Sequence, residues 1–172
     1  MAYPQWAAGQ TITAGGLNLS DLIGRDVFKA TRDTNQSISS NATPQAANVL
    51  SWETVELDLL AGWSASSPTR WTCPIAGWWK LAGAVAFNGT ATTGNVRGCG
   101  WFVNGAMPNG GQARLAASPP NVVSSANART LSLALAVGDY IELAPSQDTG
   151  SALLTATGSP RPYISISFGG SV

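Results

Sequence analysis

Glu56 and Asp58 are the two residues whose type and spacing best suit acid–base chemistry. Carboxylates at positions i and i+2 of a strand share one face, as in the acid pair of a glycosidase or the ligands of a calcium site. The chain has no His, which removes the commonest general base and metal-binding side chain. A hydrolase also needs a cleft that raises the pKa of its acid. We therefore interpret the pair as a solvated strand face and predict a protein that is not an enzyme and uses no metal or cofactor, with a carboxylate-dependent hydrolase as the alternative.

Seven Trp residues form the second set that could do chemistry, because flat aromatic faces stack on the rings of sugars. Trp79 and Trp101 lie in apolar runs and are predicted to be core residues. Trp78 is predicted to lie between subunits, whereas Trp63 and Trp71 flank a Ser-rich segment and are predicted to be exposed in loops. Core and interface positions therefore explain the set better than a carbohydrate platform does.

Charged residues make up only 10% of the chain, against about 25% in typical proteins. The 9 basic residues balance the 9 acidic ones, so nucleic acid, which is bound by neutralising phosphates, is not expected as a partner. No apolar run has the length of a signal peptide or a membrane span, so we expect synthesis in a cytoplasm and no membrane association. In that reducing compartment Cys73 and Cys99 are predicted to be buried free thiols.

Residues 1–33 are predicted to form an attachment arm that precedes the main domain. Residues 1–17 contain Pro, Gly and isolated aromatics without sustained periodicity, which is typical of an extended segment. After them, apolar residues recur at helical spacing while polar residues take the other face, and this pattern predicts one short amphipathic helix. The apolar positions of that helix are Leu19, Leu22, Ile23, Val27 and Ala30.

Residues 34–172 have the sequence pattern of an all-β domain. Short runs rich in Val, Ile, Leu, Trp and Thr alternate with Gly, Pro, Asn and Ser clusters at intervals of roughly ten residues. Strands without intervening helices predict a sandwich or a barrel. In the last strand, alternation places Ile164, Ile166 and Phe168 on the face that meets the core. The predicted strands are 35–41, 48–58, 69–73, 77–88, 96–104, 112–117, 128–136, 139–147, 152–157 and 161–168.

The predicted strand 77–88 is apolar on both of its faces. One face carries large apolar side chains, and the other carries a Trp and several Ala residues, with Lys80 as the only charge. A two-sheet sandwich buries just one face of each sheet, so the second apolar face is predicted to pack against a neighbouring subunit. The predicted interface residues are Trp78, Ala82, Ala84 and Ala86.

Three ordered motifs resemble the jelly-roll superfamily of complement globular heads and tumour-necrosis-factor-like trimers, especially its bacterial and phage members. They are a Pro-x-x-Gly-aromatic-aromatic start of a strand, a strand that closes on an Asn-Gly turn, and a strand followed by a Gly-Asp turn and another strand. The residues are Pro74, Ile75, Ala76, Gly77, Trp78 and Trp79, then Trp101, Phe102, Val103, Asn104 and Gly105, and lastly Leu131, Ser132, Leu133, Ala134 and Leu135 with Gly138, Asp139, Tyr140, Ile141, Glu142 and Leu143. The resemblance covers most of residues 34–172 and implies a ten-stranded jelly-roll β-sandwich that assembles as a homotrimer.

The opening residues resemble a second group, the small virion proteins of actinobacterial phages, which begin with a Trp-x-Ala-Gly-Gln-x-Ile-Thr-Ala stretch. In this chain the stretch runs from Trp6 to Ala14. The resemblance implies that the arm fixes the protein to a virion, with Trp6 as an aromatic anchor in a partner's pocket. The residues expected to make this attachment are Tyr3, Trp6, Ile12, Leu17, Leu19, Leu22 and Ile23.

The leading hypothesis for function is a trimeric decoration protein on a phage capsid. It would be assembled in the bacterial cytoplasm and bound through its arm to the major capsid protein or another virion protein. The alternative is a tail-fibre or tail-tip adhesin that binds host surface glycans through loops 62–68, 108–112 and 118–125. Fibre proteins usually have a longer shaft between anchor and head, which favours the decoration protein.

Overall fold

The computed structural model describes residues 20–90 and 93–172, which form a sandwich of antiparallel β-sheets. Within these two ranges, no helix has the length and apolar character needed to cross a membrane. The elements in chain order are β1 (Asp26–Thr31), β2 (Ser37–Ile38), a 3-10 turn (Ala46–Asn48), β3 (Thr54–Asp58), β4 (Trp71–Thr72), β5 (Gly77–Phe87), β6 (Val96–Val103), β7 (Gln112–Ala116), β8 (Ser124–Asn127), β9 (Leu131–Leu135), β10 (Tyr140–Gln147), β11 (Leu153–Leu154) and β12 (Tyr163–Gly170).

Two main sheets enclose the core. The first sheet has the order β3-β1-β12-β5-β8, and the second has the order β4-β10-β6-β7. With 11 residues, β5 is long enough to pair with β9 along its first half and with β8 along its second half. The short strands β2 and β11 pair with each other. Apolar side chains from the facing sides of the sheets meet between them, as in other sandwiches.

A chain of aromatic rings runs through the centre of the core. The ring centroids of Trp71 and Trp79 are 5.0 Å apart, and those of Trp79 and Phe168 are 4.9 Å apart, both in edge-to-face geometry. Trp79 and Trp101 are fully buried, which confirms their predicted core positions. The prediction that Trp71 is exposed in a loop is wrong, because Trp71 is fully buried in β4. A Cβ added to Gly62 would lie 2.3 Å from the Trp71 Nε1, so the missing side chain of Gly62 makes room for this ring.

Residues 26–31 form a strand where the sequence predicts a helix, and the helix prediction is wrong. Strand β1 lies between β3 and β12, and Phe28 pairs with Ile166. A bulge between Asp26 and Phe28 allows both Val27 and Phe28 to be buried. Two adjacent buried residues break the alternation of a strand and imitate the spacing of a helix face.

The domain boundary predicted between residues 33 and 34 is displaced for the same reason. Because β1 is an interior strand of the first sheet, the sandwich includes residues from Asp26 onward. Each of the ten predicted strand segments overlaps an observed strand, although 35–41, 69–73 and 152–157 shrink to the two-residue β2, β4 and β11. The prediction also missed β8, whose sequence SSAN is rich in Ser and Asn and has little of the apolar character expected of a strand.

The chain itself covers the outer face of the second sheet. Every residue of β10 after Tyr140 is buried, although a sandwich alone buries only one face of a strand. Pro44 and Met107 lie over this sheet, since a Cβ added to Gly100 would come within 2.9 Å of the first and 3.0 Å of the second. Along β12 of the first sheet, in contrast, buried and accessible residues alternate. The outer face of the first sheet is therefore the one that stays open.

Candidate subunit interface

The outer face of the first sheet presents accessible side chains from several neighbouring strands. Because side chains alternate along a strand, the pairing registers align Lys29 of β1, Ser165 of β12 and Ala82 of β5 in one row. The rows on either side complete what we call the outer face. They contain Asp26, Ser167, Lys80 and Ser132, then Thr31, Tyr163, Ala84 and Asn127, and lastly Trp78 and Ala134.

Trp78 is a large apolar side chain that the outer face leaves open. It is 46% exposed, whereas Trp79 is fully buried, because alternation sends the two indoles to opposite sides of the sheet. Ala134 and Gly170 flank Trp78 in the register and are too small to cover it. Trp is enriched at protein interfaces, where a buried aromatic side chain removes about 150–250 Å² from water. The intersubunit position of Trp78 stays a prediction, and its exposure is consistent with it.

The three Ala residues predicted for the interface differ in accessibility. Ala82 is half-buried, but Ala84 and Ala86 are only 4% and 0% exposed within the single chain. The Ala156 amide donates a hydrogen bond of 2.8 Å to the Ala86 carbonyl, so the segment after β11 lies against this end of β5. The prediction is corrected at Ala84 and Ala86, since the chain itself supplies the cover that the sequence analysis assigned to a second subunit.

A groove of about 410 Å³ crosses the outer face over β1, between β3 and β12. Its volume lies within the range of about 300–1,000 Å³ that is usual for ligand pockets, so it can receive a large side chain. Tyr163 is 42% exposed and offers its ring to the groove. We call this recess the β1 groove, and its side-chain lining is Asp26, Lys29, Thr31, Glu56, Tyr163 and Ser165.

Asp26 organises the charges at one end of the β1 groove. Lys29 Nζ lies 2.7 Å from Asp26 Oδ2, and the hydroxyls of Ser167 and Ser165 donate to Asp26 Oδ1 at 2.6 and 3.1 Å. The hydrogen bond from Lys29, followed by those from the two Ser residues, lowers the pKa of Asp26 below its ordinary value. The same contact raises the pKa of Lys29. Both groups are therefore charged at neutral pH and hold each other in place.

Glu56 and Asp58 do not act as a pair. Asp58 closes the turn after β3, because its Oδ1 and Oδ2 accept hydrogen bonds from the amides of Gly62 and Trp63 at 3.1 and 3.0 Å. Glu56 instead lines the β1 groove. Within residues 20–90 and 93–172, no three His, Cys, Asp or Glu side chains are grouped so as to hold a metal ion.

Comparison with known proteins finds the fold but no relative in sequence. No protein-family model and no curated protein matches the chain. The globular domain of zebrafish complement 1qA protein superposes with a TM-score of 0.57 at 10% identity, covering 82% of this chain and 94% of that one. Murine APRIL gives 0.56 at 13%, covering 83% and 98%, and the Eiger TNF of S. frugiperda gives 0.53 at 12%, covering 86% and 94%.

The fold is the complement- and TNF-like jelly roll. This confirms the predicted all-β jelly-roll β-sandwich. At 10–14% identity the likeness concerns the fold alone.

Two of the seven predicted attachment residues lie in the described part of the chain, next to the jelly roll. Leu22 packs against the core, and Ile23, which is 38% exposed, forms a bridge with Phe168. Leu22 is therefore already used by the jelly roll, and Ile23 lies at its edge. The remaining predicted attachment residues, Tyr3, Trp6, Ile12, Leu17 and Leu19, lie outside the described residues.

The loops predicted for glycan binding are only partly free. Trp63, in the loop 62–68, is half-buried, because its Nε1 donates to the Pro68 carbonyl at 3.2 Å and its backbone bridges Trp71. The segment 118–125 runs into β8 at Ser124, so only its first part is a loop. Its exposed side chains include Val122.

The β1 groove is the feature that sequence reasoning missed. It is lined by Lys29, one of the polar residues of the segment for which a helix was predicted. The available signal was the alternation of β12, which puts Tyr163 and Ser165 opposite the core residues. That alternation indicated that β12 has a polar outer face and pairs with a neighbouring strand. It did not indicate which segment of the chain forms that neighbouring strand.

Proposed function

We propose that the protein is a non-enzymatic structural subunit that assembles as a homotrimer through the outer face of its first sheet. The trimer decorates a phage capsid, to which the N-terminal arm attaches it. The observation that carries the assembly is the half-exposed Trp78, which lies on the sheet face that the chain leaves uncovered. The trimeric stoichiometry is supported by the resemblance of the ordered strand motifs to the complement and TNF-like trimers. The virion location is supported by the resemblance of the segment from Trp6 to Ala14 to small phage virion proteins.

Further support comes from the mixture of side chains on the outer face. The exposed side chains of Trp78 and Tyr163 lie among smaller Ala and Ser residues of the neighbouring rows. Interfaces combine such aromatic anchors with a polar rim. A subunit contact through this face would remove the indole of Trp78 from water.

The assembly is tested by sedimentation equilibrium on the full chain. A trimer has three times the 17.7 kDa mass of one chain. We expect that mass at micromolar concentration. A monomer at all concentrations up to hundreds of micromolar would overturn the proposed assembly.

The virion location is tested by counting copies in purified particles with quantitative mass spectrometry. We expect copies in the hundreds per particle, spread over the capsid in immunogold images. A Trp6→Ala variant should remain trimeric in solution but bind depleted capsids much more weakly, whereas a Leu154→Ala control, at an exposed apolar side chain of β11, should bind normally. A handful of copies confined to the tail would reject the decoration protein and favour the adhesin.

A further inference from the structure

Two opposite charges, Lys80 on the outer face and Glu56 in the β1 groove, form no close ion pair in the single chain, although Glu56 acts on Lys29 at longer range. Within the described residues, neither the ammonium of Lys80 nor the carboxylate of Glu56 forms an ion pair within 4.0 Å, whereas four other pairs do. Lys80 lies on β5 and Glu56 on β3, and β12 and β1 separate them. Three strand spacings of about 4.8 Å put the two backbones at least about 14 Å apart, so the two side chains cannot pair within one chain.

The β1 groove has the charge that would attract Lys80. Its charged side chains are two carboxylates, Asp26 and Glu56, and one ammonium, Lys29, for a net charge of −1. Asp26 binds Lys29 and two hydroxyls directly, whereas Glu56 acts on Lys29 only from beyond 4.0 Å and can still form a direct ion pair with a cation from outside. An ammonium group brought into the groove therefore neutralises its net charge of −1.

The same groove suits the indole of Trp78. Tyr163 offers an aromatic ring and Lys29 a cation, and both interact favourably with an indole. Trp78 and Lys80 are positions i and i+2 of one strand, so they point to the same side about 7 Å apart. One docking event can thus insert the indole into the groove and bring the ammonium to Glu56.

We propose that each protomer of the assembly inserts Trp78 into the β1 groove of the next protomer and pairs Lys80 with the next protomer's Glu56. The contact joins the β5 side of one chain to the β1 and β3 side of the next, and in the proposed trimer such contacts are heterologous and close into a ring. This inference rests on the proposed assembly and adds its donor and acceptor surfaces. The occupant of the groove is a second copy of the chain, since the matching charge and the exposed ring both lie on the same outer face.

Charge reversal tests the pairing by sedimentation equilibrium. Lys80→Glu and Glu56→Lys should each weaken association by about tenfold or more at low salt, because each places like charges in contact. The double variant Lys80→Glu, Glu56→Lys restores opposite charges and should recover most of the wild-type association. Trp78→Ala should weaken association as well. Asn109→Glu is the control, because Asn109 is exposed and lies in the loop between β6 and β7 of the second sheet, away from the outer face.

Mixing the two single variants adds a test of ring size. In an even-numbered ring, alternating Lys80→Glu and Glu56→Lys chains would make every contact favourable. In a ring of three, one like-charge contact remains whatever the order. We therefore expect the mixture to recover only part of the wild-type association.

The outcomes separate this inference from the proposed function. A wild-type trimer that is unaffected by Trp78→Ala and by both charge reversals would overturn the inference and leave the trimer standing. A wild-type monomer would reject the assembly itself. Near-ultraviolet circular dichroism should show native folding of each variant, since Trp78, Lys80 and Glu56 are exposed in the protomer.

Discussion

The indole N–H groups of two buried Trp residues have different surroundings. Trp101 Nε1 donates a hydrogen bond of 2.7 Å to the carbonyl of Arg129 and so ties the β8–β9 loop to β6. Trp52 Nε1 is buried and has no hydrogen-bond partner among the described residues. A buried donor with a partner stabilises a fold, while one without a partner costs free energy.

This difference predicts unequal effects of the same substitution. Trp101→Phe removes a hydrogen bond and leaves the Arg129 carbonyl unpaired, whereas Trp52→Phe removes a donor that has no partner. Both lose similar volume from the core. We expect Trp101→Phe to lower the free energy of unfolding by about 1–3 kcal/mol more than Trp52→Phe does. Urea denaturation followed by fluorescence measures this, and equal losses would contradict the assigned role of the bond.

The two cysteines behave as buried apolar residues. Cys73 and Cys99 are unbonded and buried, which confirms the predicted free thiols. Burial raises the pKa of Cys99 to about 12 and also raises that of Cys73. Since the thiolate is the reactive form, neither should react with a thiol reagent in the native protein, and both should react after unfolding in guanidinium. An unchanged melting temperature in dithiothreitol completes the test, and rapid labelling of the native protein would contradict it.

At the scale of elements, β1 has the largest consequence for the sandwich. It supplies backbone partners to both β3 and β12 and buries Phe28 against the core. Without it, two strand edges and the apolar side chains beneath would be open to water. The stability of the first sheet therefore depends on a segment that the sequence assigned to the arm.

Two truncations test this dependence. Removing residues 1–19 leaves every element of the described residues in place, so the shortened chain should still fold and unfold in a cooperative thermal transition. Removing residues 1–33, which is the predicted arm, deletes β1 and should give an unfolded or aggregated product. A folded, soluble domain starting at residue 34 would contradict the position of β1.

At the scale of the whole molecule, carboxylates tie separate parts of the chain together. Asp33 accepts hydrogen bonds from the Thr54 and Thr31 hydroxyls and pairs with Arg161. These bonds, with that of Thr54 foremost, lower the pKa of Asp33. Burial acts to raise the pKa of Glu53, but hydrogen bonds from Thr34 outweigh it and the pKa is lowered. The end of β1, the start of β3 and the loop before β12 are joined at this one place.

The lowered pKa values set the pH dependence of stability. A carboxyl group whose pKa is lower in the folded state stabilises the fold above its unfolded pKa, and loses this effect as the pH falls through the folded value. The pKa values of Asp26, Asp33, Glu53 and Asp139 all shift downward. We expect a melting temperature that is nearly constant between pH 5 and 7 and falls below about pH 4.

A pair of variants identifies the groups responsible. Asp33→Asn should melt lower at pH 7 and lose less on acidification, because part of the pH-sensitive contribution is already gone. Asp21→Asn, at an exposed carboxylate outside the network, should follow the wild type. Calorimetry from pH 7 to pH 2.5 gives both curves, and a rise in wild-type stability towards acid would show that these carboxylates do not stabilise the fold.

Part of the candidate interface was predictable from β5 alone. Both faces of the predicted strand 77–88 are apolar, which indicated that both faces must be covered. Trp78, on the second face, is exposed in the single chain. Which part of the second face is open was not predictable. Ala86 is fully buried within the single chain, and its carbonyl accepts a hydrogen bond from Ala156, 70 residues later in sequence, so its surroundings depend on a distant segment that no local pattern reports.

What the sequence alone determined are the features with a local cause. Alternation and turn chemistry located ten strand segments of a sandwich or barrel, because side-chain direction and backbone turns depend on near neighbours. The resemblance of three ordered motifs then implied the jelly roll. The tertiary structure decided what depends on distant partners. It made β1 a strand, since β3 and β12 need its backbone, and it buried Trp71 where Gly62 leaves room. It also left the β1 groove and Trp78 open on one face, because exposure is set by what the rest of the chain can reach and cover.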